Sequence, residues 1–512
     1  MLTCFKMDTF VRDMELSHTP AGCWRRWACA AAIVLAISTP NSNAYAAIVS
    51  FGDVTDQLVN HGNRLLTDGG ADPARPLRNR ELNVWDLQSY QGKVYLGGGN
   101  TTTNPGPINL WAFDHNAGSF GATPEREIQA EAIEKFRVFN GNLYVPNSDP
   151  TFGDSVKFDR LSGGTWQTVS STPNMAHIRD ISQTADGRLA LVGNSRAPFP
   201  SFETDEDGNR TLVTPAQTGV VTTTDDGATF QTAIDTGSID AFGNFFFSTF
   251  TYDDRTFATT LYNTGSTRFT DFGLGIMEFD PQSGQFVAGI DDSFNSLPGA
   301  ITREQFIQLT ESPFPGAEDV NGEDLTSQIA LFVEQSVEIG DSLIYSVATH
   351  SPYQSSTRAN YYRNTAGFYY KTSVQSDPTP VTFADPDAVG EDVLLRDGVA
   401  YALANARQDD GSYIVYVYAT TDPSATDAWQ EVLRFDSGNL VRSFEEVDDT
   451  FYFGLGYDAL ARDNIADAGT LLSVRTATAV PEPSSWFALA ITGLVGYRRR
   501  RGWRPDASTP KV

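Results

Sequence analysis

Cysteine is almost absent from this chain, and its placement is informative. Cys4, Cys23 and Cys29 are the only three in 512 residues, and all precede Ala46. The rest of the chain has none, which excludes a disulfide scaffold, a thiolate nucleophile, an iron–sulfur cluster and cysteine-ligated zinc from the body of the protein. Histidine is scarce as well. Beyond Ala46 there are only His61, His115, His177 and His350, with no H-x-H or H-E-x-x-H spacing, so they read as loop or strand residues and not as a metal set. No glycine-rich phosphate loop, dinucleotide fingerprint, haem motif or serine nucleophile elbow is present. Positive charge is also in short supply: 36 basic residues face 64 acidic ones, a net charge of −28. Such a surface repels phosphate backbones and excludes nucleic acid as a partner. No cofactor is expected. Calcium is the one cation that an acidic exported surface permits, and the sequence argues for it weakly.

Long apolar runs are confined to the two ends. Arg25 and Arg26 precede the run Ala28 to Ile37, followed by Ala44-Tyr45-Ala46. A basic start, an apolar run too short to span a bilayer and an A-x-A site are the marks of a secretory leader, so residues 1–46 are expected to be removed by signal peptidase between Ala46 and Ala47. At the other end, Pro481-Glu482-Pro483 is followed by the uncharged stretch Trp486 to Tyr497 and then by Arg498, Arg499, Arg500 and Arg501. Two prolines keep the tripeptide extended and open to a protease. The uncharged stretch can enter lipid, and the four arginines stop translocation on the cytoplasmic side. This ordered triplet resembles the PEP-CTERM sorting signal. The resemblance implies an exosortase that cuts near the motif, a transient or lasting membrane anchor over 484–501, a linker over 477–483 and a short tail over 502–512.

Between these ends, residues 47–476 show the punctuation of an all-β protein: Gly and Asx turns, many aromatics and few stretches of helical period. A turn followed by an apolar strand recurs at roughly 50-residue intervals. The copies are Gly92-Lys-Val-Tyr-Leu, Gly141-Asn-Leu-Tyr-Val, Gly187-Arg-Leu-Ala-Leu, Asp254-Arg-Thr-Phe-Ala, Gly340-Asp-Ser-Leu-Ile, Gly398-Val-Ala-Tyr-Ala and Asp449-Thr-Phe-Tyr-Phe. Each follows an alternating stretch, so each is the second strand of a hairpin. Most are followed by a second hairpin whose turn precedes an aromatic, as at Asn116-Ala-Gly118 before Phe120 and Gln282-Ser-Gly284 before Phe286. Four antiparallel strands per unit and seven units predict a β-propeller of seven four-stranded blades. The last unit runs out after Gly469 to Arg475, one strand short, and Ala47 to Gly52 is the expected donor of that strand, closing the ring. Wide spacing around 290–330, with a helical stretch at Thr302 to Glu311, predicts an insertion on one face.

Chemistry is sparse. Thr223-Thr-Asp225-Asp-Gly227-Ala-Thr229-Phe230 matches the Asp-box pattern, in which the aspartate bonds back to turn amides, glycine takes a left-handed conformation and the aromatic plugs between blades. Such turns occur in sialidase-like and other secreted propellers, away from the catalytic centre, so the match is structural. Glu203-Thr-Asp205-Glu-Asp207-Gly208 starts like a calcium loop but carries Thr214 where a bidentate acid belongs, which favours a hairpin turn. Asp319 to Asp324 is a second weak calcium candidate. No catalytic, cofactor or metal residue stands out. The sequence reads as an exported envelope or matrix propeller that binds a polysaccharide or protein, or serves structurally. A glycan-active hydrolase of sialidase-like type and a calcium-dependent adhesion module are the alternatives. A hydrolase requires a channel lined with several carboxylates and Arg or Tyr.

Overall fold

The computed structural model describes residues 48–65, 83–99, 107–148, 156–170, 175–195, 201–204, 210–214, 220–223, 227, 229–233, 246–263, 272–287, 330–352, 361–457 and 466–476. The leader, the sorting tail, Asp225 and the region 288–329 expected to be an insertion lie outside them.

Seven four-stranded antiparallel sheets make up the body, which is a seven-bladed β-propeller. Blade 1 consists of Asp86–Tyr90, Lys93–Gly97, Ile108–Asp114 and Ser119–Phe120, with Arg126–Ile128 also paired to its third strand. Blade 2 is Arg137–Phe139, Asn142–Pro146, Lys157–Ser162 and Thr165–Ser170. Blade 3 is Met175–Gln183, Leu189–Ser195, Val220–Thr223 and Gln231–Thr232. Blade 4 is Phe246–Tyr252, Arg255–Asn263, Phe272–Asp280 and Gln285–Val287. Blade 5 is Ala330–Ile339, Ser342–Pro352, Tyr361–Lys371 and Thr379–Pro380. Blade 6 is Ala388–Arg396, Val399–Arg407, Tyr413–Thr420 and Gln430–Ser437. Blade 7 takes Val441–Val447, Thr450–Leu455 and Thr470–Arg475 from the end of the body and Val59–Asn63 from its beginning. Blade 3 also carries the hairpin Ser201–Thr204 and Arg210–Thr214, paired from Thr204↔Arg210, in agreement with the turn reading of Glu203 to Gly208.

The first hairpins close through tight turns. Gln91-Gly92, Asn140-Gly141 and Asp397-Gly398 each place two successive residues at positive φ, and Asp253-Asp254 and Asp448-Asp449 do the same with aspartates, which tolerate that conformation. Because strands alternate, these turns and those joining third to fourth strands share one face of the ring, here the turn face. The second strands end, and the first and third strands begin, on the other, the loop face.

Alternation along each strand supplies two apolar faces for packing against both neighbouring blades. In blade 6, Ala402 and Ala404 pack with Ile344 and Phe368 of blade 5, whereas Leu403 packs with Val441 and Phe453 of blade 7. Phe453 is fully buried there, and its burial contributes roughly 2–3 kcal/mol. Ring closure corrects the expected donor by a few residues. Gly52–Asp53 adds to blade 6 as a parallel fifth strand, and the strand completing blade 7 follows at Val59–Asn63. Between them the 3-10 turn Thr55–Gln57 steps from one blade to the next, with Val54 buried among residues of blades 6 and 7.

Candidate functional site: the central channel

The first strand of every blade lines the centre of the ring, and one position recurs on these seven strands or, in blade 2, just before the strand. Counted back from the first turn of each blade, it is occupied by Asp86, Lys135, Asp180, Ser248, Gln335, Asp392 and Ser443. In blades 3, 4, 5, 6 and 7 the pairing register of the first strand shifts next to it, as at Ile178/Asp180 and Gly390/Asp392. Such a bulge re-aims a side chain out of the regular alternation.

The residue type decides which way the bond to the next blade runs. Asp86 accepts the Phe136 amide at 2.6 Å, Asp180 the Thr249 amide at 3.1 Å and Asp392 the Phe444 amide at 3.1 Å. The two serines do the reverse: Ser248 donates to the Val333 carbonyl, and Ser443 to the Val84 carbonyl at 2.9 Å. Lys135 reaches from blade 2 to Asp180 of blade 3 at 3.4 Å. Gln335 instead accepts from Arg137 across the channel at 3.4 Å.

Two kinds of charged cluster result. Asp180 is fully buried and receives the Arg137 guanidinium at 2.8 Å as well as Lys135. Burial pushes its carboxyl up, but Arg137 and Lys135 outweigh that and hold it below the usual range. Among the described residues, neither Asp86 nor Asp392 forms an ion pair of this kind. Burial pushes Asp86 up to about 7, against the pull of the Phe136 amide and Arg137. Burial holds Asp392 well above the carboxylate range, and the charge of Asp86 adds to the effect. These two carboxyls line a cavity of about 160 Å³ together with Gln88, Arg137, Gln335, Arg396 and Glu445. Glu445 is engaged on both oxygens: Ser89 donates its amide at 2.7 Å to one, and Arg396 and the Glu446 amide bond the other. A smaller recess toward the loop face is lined by Trp85, Glu334, Gln335, Glu391, Asp392 and Arg442. Arg442 bonds Glu391 at 3.0 Å and stacks 4.8 Å over the Trp85 ring, which ties blades 6, 7 and 1 together.

Chemically, two carboxyls of raised pKa beside arginines are capable of proton transfer. The space is small for substrate, however, since ligand sites usually offer roughly 300 Å³ or more.

Of the residues singled out in the sequence, Ala44, Ala46, Pro481, Glu482, Pro483 and Arg498 to Arg501 lie outside the described residues. So do Asp225, residues 205–209 and residues 319–324. In the Asp-box-like turn, Thr223 accepts the Gly227 amide at 3.1 Å, Gly227 has φ +92°, and Phe230 packs onto Tyr144 and Phe158 between blades 2 and 3. Thr229 is exposed. Among the described residues of the turn, none lines the channel. The histidines are dispersed: His61 bonds Ser473 at 2.8 Å and His115 bonds Tyr452 at 2.7 Å, both at the seam of blades 7 and 1. Among the described residues no group of three or more His, Cys, Asp or Glu could hold a metal ion, and no helix is long and apolar enough to cross a membrane. The channel residues were absent from the sequence reading because their common position emerges only when blades are aligned on their first turns.

Comparison with known proteins gives one family match. The PEP-CTERM protein-sorting motif matches residues 479–501, so the C-terminus carries that sorting signal. No curated protein matches the chain. Among solved structures, an ulvan lyase of polysaccharide lyase family PL25 is similar at 10% identity and TM-score 0.42, covering 77% of this chain and 92% of that one. The β-propeller domain of the Trilobed protease from Pyrococcus furiosus is similar at 10% identity and TM-score 0.37, covering 77% and 92%. The GH74 xyloglucanase from Xanthomonas campestris is similar at 13% identity and TM-score 0.35, covering 76% and 53%.

Proposed function

We propose that this exported, exosortase-processed propeller is a binding or structural module of the cell envelope or extracellular matrix. The observation that carries this reading is the use of the channel carboxylates. Asp86, Asp180 and Asp392 each hold the next blade through its backbone amide, and Glu445 is saturated by Ser89, Gln88 and Arg396. Groups employed this way stabilise a ring and leave little freedom for turnover. The ligand-contacting surface then lies outside the channel, and a polysaccharide or a protein of the matrix is the partner class. Incubation with a panel of neutral and acidic polysaccharides, followed by reducing-end and unsaturated-product assays, should show no cleavage. Co-sedimentation with the same polysaccharides and with purified matrix protein should show retention on at least one. Turnover on any member overturns the reading.

A second reading, a glycan-active enzyme, is favoured by one observation: Asp86 and Asp392 share a cavity with Arg137 and Arg396. It requires that D86N and D392N abolish a measurable activity while the folded ring persists.

A further inference from the structure

Both ends of the propeller leave it on the turn face. The third strand of blade 7, Thr470–Arg475, pairs with Thr450↔Arg475 at its last residue, next to the turn Asp448-Asp449. Thr476 is fastened there, its amide donating to the Asp449 carbonyl at 2.8 Å and its hydroxyl at 2.9 Å. At the other end, Gly52 runs parallel to the outer strand of blade 6, Gln430–Ser437, which starts from the turn face. Followed backward from Gly52, the chain therefore heads to that same face.

The distance to the sorting motif is short. The match begins at residue 479, three residues past Thr476, and the apolar stretch begins at Trp486. Ten residues reach at most about 35 Å even when fully extended. Turning the ring over would lay the tail along the height of a blade, where a nine-residue strand such as Met175–Gln183 spans about 30 Å. That would consume nearly the whole tether.

We infer that, while the tail is held in the bilayer, the turn face of the propeller is apposed to the lipid surface and the loop face points outward. This rests on the reading of the tail as a membrane-held sorting signal. The apposed face carries Asp253, Asp254, Asp341, Asp397, Asp448 and Asp449, all exposed. These six charges oppose adsorption to anionic lipid, so the tail supplies the attachment.

The cysteine-free body allows a direct test. The full chain carrying C4S, C23S and C29S receives one cysteine at an exposed site: A117C or S283C on the turn face, A384C or D409C on the loop face. Each is labelled with a fluorophore and reconstituted into phosphatidylcholine vesicles containing a headgroup spin-label quencher. The expected result is flotation with the vesicles, loss of fluorescence at the turn-face sites and retained fluorescence at the loop-face sites. A floating chain with equal quenching at all four sites, or with the loop-face sites quenched, overturns the orientation alone. A chain that fails to float overturns both the orientation and the membrane-held reading of the tail.

Discussion

The Arg137 guanidinium of blade 2 lies 2.8 Å from the Asp180 carboxylate of blade 3, and Lys135 approaches the same oxygen at 3.4 Å. That oxygen also accepts the Thr249 amide of blade 4. One buried carboxylate thus joins three consecutive blades. Replacing it takes a counter-charge away from Arg137 and from Lys135, which is 1% exposed. D180A should lower unfolding free energy by about 3–5 kcal/mol, read from urea titration. D180N keeps an acceptor for Thr249 and should lose less. Equal stability of D180A and the parent would remove Asp180 from this role.

Asp86 and Asp392 predict a pH dependence of opposite sign to that of Asp180. Their folded pKa values are raised, so their contribution is fully present below the unfolded carboxylate pKa and is lost as pH rises toward and through the folded values. Each contributes a slope of up to about −1.4 kcal/mol per pH unit across that window. Asp180, with a lowered pKa, contributes stability that disappears only as pH falls below the ordinary carboxylate range. The melting temperature of the parent should therefore rise between pH 8 and pH 5. D392N, which mimics the protonated form, should melt higher at pH 8 and flatten the profile. Parallel profiles for parent and D392N would contradict the assignment.

Close backbone approach at the channel wall gives a third test. A Cβ added at Gly193 would sit 2.1 Å from the His177 carbonyl oxygen of the first strand in its own blade. The obstacle is backbone, which has nowhere to go, and G193A should cost about 3 kcal/mol. At Gly340, where a Cβ meets nothing, only the φ of +57° opposes alanine, and G340A should cost about 1 kcal/mol. Chemical denaturation of both variants tests the contrast, and similar losses would refute it.

The seam between first and last blades is sensitive to acid. Burial lowers the pKa of His61, which bonds Ser473 and lies 4.3 Å from the Phe113 ring. A lowered histidine pKa contributes stability above the unfolded value of about 6.5 and loses it as pH falls toward the folded value. H61F should keep the aromatic contact and abolish this loss. Between pH 7.5 and 5.5 the melting temperature of the parent should rise less than that of H61F, and an equal rise would acquit His61.

Most of the architecture was legible because hairpin turns announce themselves. Asn140-Gly141 and Asp397-Gly398 need positive φ at both positions, and few residue pairs accept that, so the blade period surfaced directly from Gly and Asx spacing. The channel was not legible in the same way. With so many acids in the chain, Asp86 and Asp392 carry no distinguishing mark, and they are neighbours only because blades 1 and 6 meet across the ring centre. The donor strand was expected at Ala47 to Gly52 because that stretch is apolar. The structure uses the apolar stretch to reach blade 6 and assigns pairing to Val59–Asn63, which includes His61 and two asparagines. Strand pairing here is enforced by backbone and by the unpaired edge at Thr470–Arg475, and hydrophobicity was the wrong guide.

Because Val59–Asn63 pairs with Thr470–Arg475, a segment from the start of the body finds its partner only after some four hundred further residues have followed it. Closure is therefore a completeness check. A chain interrupted during export, or one missing its last blade, keeps an unpaired strand at each end of an open arc, and open strands are templates for aggregation and targets for proteases. Only a fully delivered chain removes both. The sorting motif begins at residue 479, past Ser473, the last residue paired with the closing strand, so the portion committed to the processing enzyme is made after every residue that closure needs.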